Sequence, residues 1–303
     1  MKVFLTGATG YVGSVAAEKL LENKHEVLGL ARNDAAENKL TEKGIVPLRG
    51  DLTDTESLKR GASQSDAVIH TAFGHDFANF DKMVQDELDA VAAFTEVLQN
   101  TGKPFIATSA PAFLGDTGDE IADENYPIDE SSYFAIRARA EKAVLAANEE
   151  GVRAIVLRLP LYVYGRAGST FVPVLIEKAK NDGATFFVET GGQKVSAVSV
   201  EDAARLYVAA LEDKHAKGLY NVAAENVTNR EIAEAIAKLT GVKAGSVSLS
   251  EASEKFGALT GFMTINNQIS AAKAKSEIGW QPQTEIGILR DIESGSYTAL
   301  RDS

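Results

Sequence analysis

Residues 6–13, Thr6-Gly7-Ala8-Thr9-Gly10-Tyr11-Val12-Gly13, restrict the possible folds more than any other part of the chain. They follow the apolar run Val3–Leu5 and open Ser14–Asn23, where Val15, Ala16, Leu20 and Leu21 fall on one helical side. Strand, glycine loop and helix in that order give the glycines a definite task. They let the chain turn tightly and bring backbone N–H groups against a diphosphate, whose charge is also favoured at the helix N-terminus. The spacing is G-x-x-G-x-x-G, not the commoner G-x-G-x-x-G of dinucleotide-binding folds.

The alternation continues downstream. Short apolar runs at Glu26–Leu30, Ala67–His70, Phe105–Thr108 and Ala154–Leu159 are separated by longer amphipathic stretches, notably Lys82–Gln99 and Arg137–Glu149. This rhythm predicts an α/β protein, a Rossmann-type doubly wound parallel sheet with helices on both faces. After about Gly165 the rhythm loosens. Thr228 and Glu231 make a capping box ahead of Ile232, Ala235, Ile236 and Leu239, and Gly241 stops that helix. A chain of 303 residues sits where one core stops growing. The expected division is a dinucleotide-binding domain over 1–165, completed by part of 196–222, and a smaller C-terminal substrate domain drawn mainly from 166–303.

Composition removes several classes of function. The net charge is -12, so the surface repels phosphate backbones and anionic lipid, and neither nucleic acid nor membrane is an expected partner. No cysteine is present, which excludes disulfides and thiol catalysis and fits a reducing, cytoplasmic setting. The histidines His25, His70, His75 and His215 lack metal-ligand spacing, so no metal site is expected. His75 and Asp76 follow the fourth strand in a loop expected to face the substrate, although a plain loop histidine is the simpler reading. Phe256, Phe262, Met263 and Trp280 are read as core in preference to pocket lining.

Thr-Gly-x-x-Gly-x-x-Gly resembles the extended and atypical members of the short-chain dehydrogenase/reductase superfamily, and the likeness runs through most of the chain. Asp51–Leu52 is similar to the pair beside the adenine ring, His70–Thr71–Ala72 to the end of the fourth strand, and Arg158–Leu159–Pro160 through Tyr164–Gly165 to the sixth strand and its exit. Val200–Glu201–Asp202–Ala203–Ala204, Tyr220–Asn221–Val222 and Ile278–Gly279–Trp280–Gln281–Pro282 match stretches of the second half. The resemblance implies cofactor contacts from Gly7, Thr9, Gly10, Tyr11, Val12 and Gly13 in the loop, and from Asp51 and Leu52. Further contacts are implied from Thr71, Ala72, Phe73 and Thr108, from Tyr133 and Arg137, and from Leu159, Pro160 and Leu161. At the end of the second strand, where a carboxylate would receive the ribose of NAD, the sequence reads Leu30–Ala31–Arg32–Asn33. Arg32 suits a 2′-phosphate, so NADP(H) is expected over NAD(H), with Asp34 close enough to blunt the preference.

The segment Ser131-Ser132-Tyr133-Phe134-Ala135-Ile136-Arg137 holds the expected chemistry. On a helix, Tyr133 and Arg137 share a face. In the superfamily a Tyr in this place protonates a carbonyl oxygen, a Lys four residues on lowers its pKa and holds the nicotinamide ribose, and a Ser on the preceding strand end orients the carbonyl. Here Arg137 replaces the Lys. A cation about 4 Å from a phenolate at an effective dielectric near 20 still contributes roughly 4 kcal/mol, but it releases no proton. Arg137 also has a plainer reading as an ion-pair partner of Glu141 on the same helix. Ala110 falls where the Ser belongs, so Ser109 or Thr108 would have to serve.

These features imply an NADPH-dependent reductase of a carbonyl (or imine) group on a small organic molecule, with Tyr133, Arg137 and Ser109 as its catalytic residues. A non-catalytic NADP-binding redox sensor and a nucleotide-sugar epimerase are the alternatives. The resemblance also implies a homodimer packed through the Lys82–Gln99 and Arg137–Glu149 helices.

Overall fold

The computed structural model describes residues 1–74 and 79–301, so His75 and Asp76 lie outside the described residues. Its first half alternates β1 (Lys2–Thr6), α1 (Tyr11–Glu22), β2 (Glu26–Ala31), α2 (Asp34–Glu42), β3 (Val46–Arg49), α3 (Thr55–Ser63), β4 (Ala67–His70), α4 (Phe80–Leu98), β5 (Pro104–Ser109), α5 (Ala138–Ala146) and β6 (Arg153–Arg158). The second half contains β7 (Tyr162–Tyr164), α6 (Phe171–Asp182), β8 (Ala184–Val188), β9 (Lys194–Ser199), α7 (Val200–Glu212), β10 (Gly218–Asn221), β11 (Glu225–Thr228), α8 (Asn229–Thr240) and β12 (Lys243–Val247), followed by short helices.

The main sheet has seven parallel strands in the order β3-β2-β1-β4-β5-β6-β10. Strand alternation divides its apolar side chains between two cores. Val3 and Leu5 join Val15, Ala16 and Leu20 of α1 and Leu206 and Tyr207 of α7. Phe4, between them, points the other way to Leu58 of α3 and Phe94 of α4, its ring 6.2 Å from the Phe94 ring and edge-on to it. Burial on both faces explains why these strands read as short, nearly continuous apolar runs. The strand order reverses between β1 and β4, and in open α/β sheets ligands bind in the crevice at that switch point.

The smaller sheets lie in the second half. β9 pairs parallel with β7 and antiparallel with β11, while β8 pairs with β12. Val172 and Ile176 of α6 and Ile232, Ile236 and Leu239 of α8 bury against Tyr162, Val195 and Val227. The Thr228–Glu231 capping box forms, and Gly241 ends α8 at a left-handed φ of 74°.

The helix expected over 137–149 is regular only from Ala138 to Ala146, with a 3-10 turn at each end. Tyr133 precedes it in a turn, so Tyr133 and Arg137 do not share an α-helical face. Local side chains explain the delay. Asp129 Oδ1 accepts from the Ser131 N–H at 3.0 Å and its hydroxyl at 2.6 Å, and Ser132 Oγ accepts from the Phe134 N–H at 3.2 Å. Asp and Ser side chains bonded to nearby backbone favour turns over helix.

Candidate active site

The glycine loop forms a cradle with no room for side chains. Gly7 has a φ of +75°, and a Cβ there would lie 2.5 Å from Thr71 Oγ1 and 2.8 Å from Ala72 N. A Cβ on Gly13 would meet the Gly7 carbonyl oxygen and come within 2.6 Å of Thr71 Oγ1. The Gly10 N–H donates to the Gly7 carbonyl at 2.8 Å and closes the turn. Gly10 caps α1 without a side chain, and the first helical turn carries no carboxylate. An uncapped helix start with tight backbone approach fits a diphosphate. The residues present therefore fit a dinucleotide.

Just after β2, Arg32 is exposed and makes no ion pair among the described residues. Asp34, expected to compete with it, is held instead by Arg49 at 2.8 Å, and Arg49 also reaches Glu37 at 3.1 Å. Asp51 Oδ1 accepts from Thr53 N–H and Oγ, bonds that hold its carboxyl below the usual range, with Arg32 adding to the effect. Leu52 packs on the core beneath.

The loop is also tied to the second half of the chain. Tyr11 donates its hydroxyl to the Gly165 carbonyl at 2.8 Å, and burial raises its pKa well above the ordinary value. The segment it meets is unusual, since Arg166, Ala167 and Ser169 all have positive φ. Such backbone costs about 1–3 kcal/mol per residue. It is held by Tyr297, which donates to the Gly168 carbonyl at 2.9 Å, and by Arg166, which bridges Glu18 and Glu201.

Beyond Thr71 and Ala72, the next residue Phe73 lines a cavity of about 190 Å³. Six phenylalanines form most of its wall: Phe73, Phe80, Phe113, Phe134, Phe171 and Phe262. Ala110, Pro160 and Leu161 contribute, and the polar lining among the described residues is Arg137 and Asn267. The Arg137 guanidinium lies over the Phe73 ring at 4.0 Å from its centroid, and Nε donates to Glu87 Oε2 at 3.4 Å. One face and one edge of the guanidinium are thus engaged, leaving its terminal nitrogens for a ligand. Glu87 is 6% exposed. Burial raises its pKa and the Arg137 charge opposes that rise.

The partner expected for Arg137, Glu141, is elsewhere. It binds Arg158 at 2.8 and 2.5 Å in a buried bidentate pair that fastens α5 to β6. His70 is buried beneath the cradle with Nδ1 bonded to Thr6 Oγ1 at 2.7 Å. Burial, helped by the Arg137 charge, lowers its pKa to about 4.

The other expected site residues are not gathered in this cavity. Tyr133 is 65% exposed, its ring resting on Phe80 and Phe134 with centroids 5.3 Å away in both cases. It stands at the rim, and Phe134 takes the wall position. Thr108 Oγ1 is engaged by the His70 carbonyl at 3.0 Å and the Tyr207 hydroxyl at 2.6 Å, on the α7 side of the sheet. Alternation then turns Ser109 to the opposite face, buried, and it is Ala110 that lines the cavity. Leu159 is core. Of the late hydrophobic residues read as core, Phe262 instead lines the cavity. Phe256 packs on Phe186, Met263 joins Val188 and Val247, and Trp280 donates its indole N–H to the Asp202 carbonyl at 3.0 Å. Glu87 was not legible from the sequence, because a Glu in an amphipathic helix reads as solvated surface.

The sequence profile of the NAD dependent epimerase/dehydratase family matches residues 3–223. The chain belongs to that family, whose members depend on a nicotinamide dinucleotide. An uncharacterized protein of Saccharomyces cerevisiae is 38% identical over 299 residues, 97% of this chain and 98% of its own. The 2-alkyl-3-oxoalkanoate reductase of Stenotrophomonas maltophilia is 30% identical over 223 residues, 70% of this chain and 66% of its own. Among solved structures, UDP-glucose 4-epimerase of Thermus thermophilus, in complex with NAD, has a TM-score of 0.78 at 23% identity and covers 98% of both chains. That likeness is one of fold. No helix among the described residues is long and apolar enough to cross a membrane.

Proposed function

We propose that the protein is an NADPH-dependent reductase of a carbonyl group on a small organic molecule. The observation that carries this reading is the junction at Thr71-Ala72-Phe73, where the glycine cradle ends and a cavity containing Arg137 begins. A reduced nicotinamide supplies hydride when bound. The Gly7–Gly13 loop and the start of α1 would hold the diphosphate, and Arg32 would serve a 2′-phosphate, its rival carboxylate Asp34 being neutralised by Arg49. The terminal nitrogens of Arg137 hold and polarise the carbonyl oxygen. With the cofactor bound, the carbonyl carbon would gain the hydride, the C=O π pair would move to oxygen, and that oxygen would need a proton. A guanidinium does not release one, so the proton is assigned to Tyr133, whose ring rests on the wall residues Phe80 and Phe134 and would have to turn inward to give it. The reductase named among the relatives supports the reaction class.

The exposure of Tyr133 and the alanine at position 110 favour a second reading, a dinucleotide-binding protein without turnover. Oxidation of NADPH and NADH against a panel of ketones and aldehydes separates the two. Faster consumption of NADPH that depends on the carbonyl compound is expected; tight NADPH binding with no consumption by any member points to the second reading.

A further inference from the structure

The wall of the cavity is an aromatic chain that crosses from the dinucleotide-binding half to the smaller half. Phe73 contacts Phe80 at 6.3 Å, Phe80 contacts Phe134 at 5.5 Å, Phe134 contacts Phe262 at 5.2 Å, and Phe262 contacts Phe171 at 5.4 Å. Their interplanar angles of 70°, 85°, 31° and 68° set successive rings mostly edge to face. A flat ring fits such a wall, because ring edges are positive and ring faces negative.

The polar lining is nearly committed. Asn267 donates its side-chain N–H groups to the carbonyls of Pro111 and Gly115, both at 3.1 Å, so its amide retains only acceptor capacity for a ligand. The Arg137 charge faces Glu87. Among the described residues, the terminal nitrogens of Arg137 are the one donor set the lining offers, so when they hold a carbonyl oxygen, a carboxylate or diphosphate elsewhere on the ligand would be buried without a partner, which is strongly unfavourable. A sugar would leave its hydroxyls against phenylalanine.

We propose that the cavity selects an uncharged aldehyde or ketone bearing a single aromatic ring and rejects nucleotide sugars and carboxylates. The site is the one assigned above to carbonyl reduction, so the reaction rests on that reading, whereas the binding preference does not. In the reaction the aryl carbonyl becomes the corresponding alcohol, with hydride and one proton gained and NADPH oxidised to NADP.

Calorimetric titration of the protein saturated with NADP⁺, so that the cradle is filled, with benzaldehyde, cyclohexanecarbaldehyde, 4-formylbenzoate and UDP-glucose tests the preference of the cavity without turnover. Benzaldehyde is expected to bind most tightly, roughly two- to tenfold above the saturated analogue, the factor an aromatic pair adds. 4-Formylbenzoate and UDP-glucose are expected to show no binding. Phe262→Leu and Phe134→Leu keep apolar volume while removing a ring, and each is expected to erase the difference between benzaldehyde and cyclohexanecarbaldehyde. Binding of UDP-glucose or 4-formylbenzoate as tight as that of benzaldehyde overturns the proposal, as does an unchanged aromatic preference in both variants. Aromatic binding without NADPH consumption overturns the reductase reading and leaves the selectivity standing.

Discussion

The glycine cradle and the phenylalanine cavity meet at Phe73 but are built by opposite means. The cradle is defined by side chains that are absent, since a methyl on Gly7 or Gly13 would strike Thr71 or the Gly7 carbonyl. The cavity is defined by side chains brought from both halves of the chain, Phe73 at one end of the sequence order and Asn267 at the other. Backbone placed by a strand and a helix tolerates almost no variation, whereas a side-chain wall changes specificity one ring at a time. Function should therefore separate between them: damage to the cradle acts on the cofactor, and damage to the cavity acts on the carbonyl compound.

Tyr133→Phe is the sharpest cut on the cavity side. Removal of a general acid lowers turnover by roughly 10²–10⁴-fold, so the variant is expected to lose kcat while calorimetry shows unchanged NADPH affinity. Equal loss of NADPH affinity would erase the separation, and unchanged kcat would take Tyr133 out of the reaction.

That contrast also sets what the sequence made legible. The cradle was readable because three glycines at fixed spacing between a strand and a helix have few other uses, and the alternation of the first half carried the sheet with it. The cavity was not, because its rings come from segments with no common period, and a phenylalanine facing a cavity has the same local pattern as one facing a core. Tyr133 and Arg137 were separated by the Asp129–Ser132 turn chemistry, which outweighed the helical reading of their spacing. Arg137 took Glu87 in place of Glu141 because the latter is committed to Arg158.

His70 touches both regions, bonded to Thr6 under the cradle and feeling the charge of Arg137. Its folded pKa of about 4 lies below the ordinary 6.5, so the unfolded chain binds the extra proton between those values. Stability from the neutral histidine is complete above about pH 6.5 and lost as pH falls toward 4, by about 3 kcal/mol. Denaturant melts at stepped pH should show this slope in the parent and a shallower one in His70→Gln. Parallel slopes would mean that burial at this position is not coupled to protonation.

On the cradle side, Gly13→Ala is expected to reduce stability by about 1–3 kcal/mol through overpacking and to weaken NADPH binding, while benzaldehyde affinity holds. Loss of both ligands together would show one cooperative site in place of two. At the outer end of the cradle the effect is expected to be narrower, confined to the choice of cofactor. Arg32→Ala removes a charged hydrogen bond worth about 1.5–3 kcal/mol and should weaken NADPH more than NADH; equal weakening of both would assign Arg32 to the surface.

Hydride delivery from the cradle to a carbonyl in the phenylalanine cavity is best followed with NADPH deuterated at C4 and benzaldehyde, reading the product by mass spectrometry and NMR. One deuterium on the carbinol carbon of benzyl alcohol is the expected result. Benzaldehyde recovered unchanged, or alcohol without the label from NADPH deuterated on either face, would contradict it.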